Sequence, residues 1–224
     1  TQPVENGGTL NLSIDANLQF FAQQVLADTV AELNADWASA VVIEVETGRL
    51  LAAAEAPTVD PNDPAGVSSD DRGSRIFQFS FEPGSIMKSI TSGIVLDTGA
   101  ADEWDTVLAP DRMYLDFNNE YIKDSFDHDD FTLSLAGVLR YSSNTGMTEF
   151  GRDIDREIRG EYLKKFGFGV PTSLRFEGES GGILREASEW DEMTNLTTLF
   201  GQGLAVTPIQ MGYAYQALAN DGVR

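Results

Sequence analysis

The chain has 224 residues, and its 36 acidic against 15 basic side chains give it a formal net charge of −21. Such a charge argues against electrostatic binding to nucleic acid or to an anionic membrane surface. Because cysteine is absent and His128 is the single histidine, the composition excludes disulfides, a thiol nucleophile, cysteine-ligated zinc and a metal site built from several histidines. No apolar run reaches the roughly 20 residues of a membrane-spanning helix.

The beginning of the chain predicts a strand followed by a helix. Residues 9–14 alternate polar and apolar side chains, which is the pattern of a short strand. Asp15 then stands where a helix N-cap would stand, and apolar residues recur at helical spacing from Leu18 to Leu33. Since this helix is amphipathic, we expect its apolar face to cover a flat sheet.

A β-hairpin and a long loop are predicted next. Residues 39–45 and 49–56 have the composition of two strands, and the turn between them contains Gly48, which can adopt a positive φ. Residues 57–75 are rich in Pro, Asp, Ser and Gly, and they predict a long surface loop. A loop of that length inside a compact domain is often functional.

From Phe77 onward the pattern is mostly helical. Residues 78–83 predict an extended segment, because the residue before a proline avoids the helical region. Helices are predicted over residues 85–96, 131–150 and 153–166, and in a last helix opened by Thr207 and Pro208. The order of these elements indicates an α+β fold in which the sheet has few strands.

Ser85 and Lys88 are the first candidates for chemistry. Residues three apart on a helix share a face, so the Lys88 amine can reach the Ser85 hydroxyl. Burial can lower a lysine pKa until the amine accepts a serine proton, and the N–H groups at a helix N-terminus suit a developing oxyanion. Pro83 and Gly84 permit close approach of the backbone. The alternative interpretation is an ordinary N-cap serine and a lysine that reaches solvent along its aliphatic stem.

Ser142, Ser143 and Asn144 form a second candidate motif behind an apolar helical stretch. A hydroxyl can relay a proton, and an amide side chain can hold a substrate amide. On these residues alone the simpler interpretation is a helix cap or a helix end.

The two motifs occur in the order used by penicillin-recognising serine enzymes, and Ser142 lies 57 residues after Ser85. On these motifs the sequence resembles the transpeptidase domain of class B penicillin-binding proteins, the monofunctional D,D-transpeptidases of the bacterial cell wall. Similar stretches run almost from end to end, over residues 12–19, 41–54, 57–62, 81–88, 141–147, 166–169, 177–182 and 201–211. The most specific of them is Phe81-Glu82-Pro83-Gly84-Ser85-Ile86-Met87-Lys88.

The resemblance implies the α+β fold of serine β-lactamases and penicillin-binding transpeptidases. In that fold an antiparallel sheet, of which this chain holds the first two strands, is covered by helices and joined to a mostly helical subdomain. Residues 1–76 would supply the leading strand, helix and hairpin, and residues 77–224 the mostly helical part that carries both motifs. The family's third motif, Lys-Thr/Ser-Gly, is absent before the chain stops at Arg224. We therefore expect a fragment that acylates poorly and has an incomplete sheet.

The resemblance also implies a reaction and a role for each residue. Ser85 attacks the penultimate D-Ala carbonyl of a stem pentapeptide with Lys88 as its base, Ser142 carries protons to and from the amine, and Asn144 orients the amide of the acyl donor. β-Lactams mimic the donor and acylate Ser85, and no cofactor or metal is needed. A D,D-carboxypeptidase, a β-lactam sensor or an inactive scaffold of the same fold are the alternatives.

The implied partners are peptidoglycan stem peptides on lipid-linked or nascent glycan strands, β-lactams, and membrane proteins of the divisome or elongasome, with no nucleic acid. The implied location is the extracytoplasmic face of the bacterial plasma membrane, with an N-terminal anchor that this chain lacks. Finally, the acidic stretch with Asp124, Asp127, Asp129 and Asp130 departs from calcium-loop spacing and predicts a solvated loop, with His128 exposed in it.

Overall fold

The computed structural model of the protein describes residues 7–68, 72–117, 120–174 and 176–223. The chain divides into two compact units, Thr1–Arg72 and Gly73–Arg224. Helices and short antiparallel ribbons alternate along it, which confirms the α+β class. Within those described ranges, no helix combines the length and the apolarity that a membrane crossing requires.

The first unit opens with helix α1 (Ala16–Leu33), which begins where the sequence predicts. Asp15 is its N-cap, and the Asp15 carboxylate accepts hydrogen bonds from the backbone N–H groups of Asn17 and Leu18, each at 2.9 Å. These two bonds satisfy N–H groups that have no partner inside the helix. Asn34 ends the helix in the left-handed conformation, with φ of 48°.

The strand predicted over residues 9–14 is wrong, because this segment is irregular. Its alternating apolar side chains do not face a core, since Leu10 and Leu12 are 79% and 68% exposed. A hydrogen bond from Ser13 Oγ to the carbonyl oxygen of Leu50 at 2.6 Å connects the segment to the residues that follow it. Alternation predicts a strand only where one face is buried.

The predicted hairpin is confirmed as β1 (Ala38–Ile43) and β2 (Leu50–Ala56), paired antiparallel. The turn contains Gly48 with φ of 67°. Helix α1 packs on this hairpin, as expected, and Gln19 bonds both backbone groups of Ala53: it donates to the carbonyl at 2.9 Å and accepts from the N–H at 2.8 Å. The Gln19 side chain thereby satisfies backbone groups that an edge strand would leave unpaired.

The loop predicted over residues 57–75 is confirmed for residues 57–68 and 72–74, which contain no helix or strand. Residues 69–71 lie outside the described residues. The first helix of the second unit, α2 (Arg75–Gln78), begins at the end of this loop.

The second unit consists of short helices around a common apolar core and two small ribbons. Its other helices are α3 (Met87–Asp97), α4 (Leu135–Tyr141), α5 (Asn144–Gly151), α6 (Arg156–Lys165), α7 (Glu192–Thr197) and α8 (Pro208–Ala219). Strand β3 (Val107–Ala109) pairs with β6 (Phe131–Leu133), and β4 (Arg112–Tyr114) pairs with β5 (Tyr121–Lys123). Fully buried core side chains include Met87, Ile90, Val95, Val138, Met147, Val206 and Ala214.

The single helix predicted over residues 131–150 is wrong. These residues form β6, α4 and α5, and Ser142 interrupts the helical path in the left-handed conformation with φ of 56°. Ser134 and Ser143 cap the two helices, since each hydroxyl accepts a hydrogen bond from the backbone N–H three residues ahead. Capping serines compete with helix continuation, and here they divide an apolar stretch that has helical spacing throughout.

The other predicted helices are confirmed, and two of them start later than predicted. Helix α3 follows a 3-10 turn over Gly84–Ile86, so Ser85 lies in that turn and does not cap the helix. Helix α6 starts later than predicted because Asp155 is its N-cap. Helix α8 begins at Pro208 behind a capping box made by Thr207 and Gln210.

Candidate active site

Ser85 lies in a turn that is fixed by the segment 201–206. Gly84 has a φ of 55°, and its N–H donates to the carbonyl of Gly201 at 2.9 Å. A few residues earlier, Phe81 exchanges both backbone hydrogen bonds with Val206, at 3.0 and 2.9 Å. The extended segment predicted over residues 78–83 is therefore confirmed around Phe79 and Phe81, whereas Gln78 still belongs to α2 and Pro83 has helical dihedral angles. The bonds of Phe81 hold the backbone of the turn in place.

Lys88 lies at the centre of the site, and it is only 1% exposed. Its Nζ is 2.8 Å from Ser85 Oγ, 2.7 Å from Asn144 Oδ1, and 2.9 and 3.2 Å from the carbonyl oxygen and Oγ of Ser142. A side chain enclosed in this way does not reach solvent, so that alternative interpretation of Lys88 is wrong. The other three candidate residues of the two sequence motifs are thus brought together around the amine of Lys88.

The environment of Lys88 raises the fraction of its neutral form above that of an exposed lysine. Burial lowers the pKa of the amine to about 8, against the opposing influence of the negative Asp124. The four oxygens that Nζ contacts are all uncharged. With a pKa of about 8, about a tenth of the amines are neutral at pH 7, and a neutral amine can accept the proton of the Ser85 hydroxyl.

The break between α4 and α5 positions Ser142 and Asn144. Because Ser142 adopts the left-handed conformation, both its carbonyl oxygen and its hydroxyl are directed at Lys88. The Asn144 amide is oriented from its other end, where Nδ2 donates to the carbonyl of Lys123 on β5 at 2.9 Å. The left-handed residue that disrupts the helix is thus the residue that places the second motif against the first.

Asp124 contacts the backbone of this second motif, and the prediction that it lies in a solvated loop is wrong. Its side chain is 2% exposed, and Oδ1 accepts hydrogen bonds from the backbone N–H groups of Asn144 at 2.6 Å and Thr145 at 3.1 Å. These are N–H groups of the first turn of α5, where a carboxylate is favoured by the helix dipole.

The prediction that His128 is exposed in a solvated loop is wrong. Its side chain is 4% exposed, its ring stacks on Phe131 at 4.3 Å between centroids, and Nε2 lies 3.1 Å from Asp124 Oδ2. Burial works to lower the pKa of His128, but the bonds to the Asp129 carbonyl and to Asp124, together with the negative charges of Asp124 and Asp111, raise that pKa. The aromatic residues on either side of His128 in the sequence, Phe126 and Phe131, were the signal available for a packed ring.

The remaining carboxylates of the acidic stretch, Asp127, Asp129 and Asp130, are exposed as predicted. In the part of the chain that the structure describes, no three histidine or carboxylate side chains come together as a metal site would require.

Comparisons with known proteins identify the family of the chain. Residues 38–224 match a family model described as the penicillin binding protein transpeptidase domain. The chain is 32% identical over 220 residues to penicillin-binding protein PbpB of Mycobacterium tuberculosis, covering 98% of this chain and 32% of that protein. It is 33% identical over 216 residues to peptidoglycan D,D-transpeptidase FtsI of Escherichia coli K12, covering 96% and 36%.

Among solved structures, penicillin-binding protein 3 of Mycobacterium tuberculosis in complex with ampicillin superimposes with a TM-score of 0.89 at 32% identity, over 95% of this chain and 47% of that one. The chain spans about a third of the length of most of the curated relatives it matches, and about half of one.

Proposed function

The chain belongs to the family of penicillin-binding protein transpeptidase domains, and we propose that the protein carrying it is a peptidoglycan-cross-linking D,D-transpeptidase that also binds penicillins. The observation that carries the proposal is the convergence of Ser85, Ser142 and Asn144 on the amine of Lys88. A buried lysine of lowered pKa beside a serine is the arrangement that activates a nucleophile.

In the proposed acylation step, neutral Lys88 accepts the proton of the Ser85 hydroxyl, and Oγ attacks the penultimate D-Ala carbonyl of a stem pentapeptide. The contact of 2.8 Å between Nζ and Oγ supports direct proton transfer. Ser85 lies in the turn that opens α3, where backbone N–H groups suit the negative charge that develops on the carbonyl oxygen.

In the proposed second stage, the proton passes from Lys88 through the Ser142 hydroxyl to the departing D-Ala amine. The amine of a neighbouring stem peptide then attacks the acyl-enzyme and returns its proton along the same path. The distance of 3.2 Å between Nζ and Ser142 Oγ supports this relay. Asn144 would orient the amide of the donor peptide near the ester. β-Lactams would acylate Ser85 in the same way, but the nitrogen released by ring opening stays tethered to the acyl group, so no leaving group departs to make room for the acceptor amine.

The proposal is tested by covalent labelling with a fluorescent penicillin, using the protein as its cell produces it. We expect Ser85→Ala to abolish the labelled band. Ser89→Ala is the matched control, because it removes a serine hydroxyl from α3 close to Ser85. The Ser89 hydroxyl contacts Tyr215 and lies outside the Lys88 cluster. The control should label at the parental rate. A labelled band that persists in Ser85→Ala would assign the nucleophile to another residue.

A product analysis separates the transpeptidase from the carboxypeptidase alternative, since both begin with the same acyl-enzyme. The protein is incubated with a stem pentapeptide and an amine acceptor, and the products are identified by mass spectrometry. A cross-linked product is expected. Tetrapeptide alone would indicate a carboxypeptidase. If neither product forms but the protein is still labelled by penicillin, it would be a β-lactam sensor. If neither product forms and labelling is absent, it would be an inactive scaffold.

We also propose that the protein acts at the extracytoplasmic face of the bacterial plasma membrane, with membrane proteins of the divisome or elongasome as partners. The support is the location of its proposed substrate, the peptidoglycan. Labelling of intact cells with a membrane-impermeant penicillin derivative tests the location, and co-purification after cross-linking tests the partners.

A further inference from the structure

The ring of His128 faces a hydrogen-bond acceptor at each of its two nitrogens. Nδ1 lies 2.7 Å from the carbonyl oxygen of Asp129, and Nε2 lies 3.1 Å from the carboxylate oxygen Oδ2 of Asp124. A neutral imidazole carries one N–H, so it can satisfy only one of these oxygens, whereas an imidazolium carries two. The geometry therefore matches the protonated ring.

We propose that His128 is a positioning residue of the active site, held as an imidazolium, and that it acts through Asp124 on the helix turn that carries Asn144. This inference rests on the proposed function, since its kinetic consequence is the rate at which Ser85 is acylated. Nothing in the acylation step itself requires a histidine, because Lys88 is the base.

The contacts form a continuous path from His128 to the reacting group. Asp124 uses Oδ2 for the imidazolium and Oδ1 for the N–H groups of Asn144 and Thr145. Asn144 Oδ1 is in turn 2.7 Å from Lys88 Nζ. If the imidazolium is removed, Oδ2 of a carboxylate that is 2% exposed loses its charged partner, which is costly for a buried charge. The carboxylate is then free to turn away from α5.

The groups that face the ring are consistent with a retained proton. Asp124 and Asp111 both act on His128 with negative charge, and the Phe126 and Phe131 rings enclose it. Because its pKa in the folded protein lies above the usual value near 6.5, the paired arrangement is complete at lower pH. One of the two bonds is lost as the pH rises through that raised pKa.

The protonation state can be measured directly by NMR of the protein labelled with nitrogen-15 in histidine, with His128 assigned as the signal that a His128→Gln variant loses. We expect two protonated ring nitrogens at pH 6.5, a titration midpoint above 6.5, and a lower midpoint in Asp124→Asn. A ring with a single N–H at that pH, or a midpoint at or below 6.5, would overturn the proposal whether or not the protein is acylated.

The positioning role is tested by a matched pair, His128→Gln and His128→Asn. A glutamine amide nitrogen takes a position close to that of Nε2 and can still donate to Asp124, whereas an asparagine amide nitrogen takes a position close to that of Nδ1 and cannot. Both variants lose the ring and the charge. We expect His128→Asn to be acylated by a fluorescent penicillin about 10-fold more slowly than His128→Gln, the factor that one hydrogen bond to a charged group corresponds to.

Equal acylation rates in the two variants would refute the positioning role while leaving the proposed function intact. Thermal melting of both variants shows whether each is folded. If the parental protein itself is not labelled, the proposed function fails, and the NMR result still decides the protonation state of His128.

Discussion

Replacing Gly201 with alanine is expected to displace the backbone that carries the nucleophile. Gly201 has a φ of 86°, and a Cβ built there would lie 2.2 Å from the carbonyl oxygen of Gly84 and 2.6 Å from its nitrogen. Non-bonded carbon contacts are favourable near 3.5 Å, so the two backbones must separate by about 1 Å. Gly84 directly precedes Ser85, and a misplacement of about 1 Å at a reacting group can cost about 100-fold in rate.

The left-handed conformation adds a separate cost of about 1–2 kcal/mol for any residue with a Cβ, so a control must share it. Gly99→Ala does so, because Gly99 has a φ of 69° and no atom lies within 4 Å of the Cβ position. The assay is the second-order rate constant of acylation by a fluorescent penicillin, together with denaturant unfolding. We expect Gly201→Ala to be acylated about 100-fold more slowly than Gly99→Ala and to be less stable by a further 1–3 kcal/mol or so from overpacking.

Equal rate constants for Gly201→Ala and Gly99→Ala would refute the reasoning, since the contact between Gly84 and Gly201 would then not position the nucleophile. A stability loss in Gly201→Ala that matches the control would show that the structure relaxes around the added methyl group at no cost.

Three further changes test the electrostatics and the packing of the second unit. Lys88→Arg keeps a positive charge beside Ser85, but a guanidinium does not deprotonate in proteins, so acylation should slow by about 10²–10⁴-fold; a parental rate would exclude Lys88 as the base. Asp124→Asn removes the negative charge that raises the pKa of Lys88. The acylation rate should therefore rise with pH around a midpoint below the parental value near 8, and a midpoint that moves to higher pH would contradict this. Gln210→Glu replaces an amide that donates to three backbone carbonyls in a side chain that is 1% exposed. It should lower the free energy of unfolding by about 3 kcal/mol or more, and by more than Gln210→Met does in urea denaturation; equal losses would show that the buried charge is tolerated.

Local signals predicted much of the secondary structure because their causes lie within a few residues. The Asp15 carboxylate bonds the next backbone N–H groups, and Thr207, Pro208 and Gln210 together open α8, so both helix starts follow from neighbouring residues. The spacing of Ser85 and Lys88 also sufficed to predict their contact, since one helical turn brings them together.

Other local signals were ambiguous because the spacing of apolar residues is compatible with more than one backbone structure. Residues 9–14 alternate as a strand does, yet no buried sheet face receives their apolar side chains. Residues 131–150 have helical spacing, yet two capping serines and the left-handed Ser142 divide them into three elements. Periodicity records which side chains are apolar, and it does not record which backbone groups a serine side chain will satisfy.

The candidate residues Ser85, Lys88, Ser142 and Asn144 could be named from motif order, but their chemistry depends on packing. The lowered pKa of Lys88 comes from burial by elements that are remote in the sequence, and the distance between Nζ and Asn144 is set where α5 meets α3. Asp124 and His128 belong to a stretch whose composition predicts a solvated loop. Only in the folded chain are their side chains buried, with Asp124 bonded to the first turn of α5. Charge and hydrogen-bond energies depend on what surrounds a group in three dimensions, so residue order alone could indicate the participants in this site but not the protonation states in which they act.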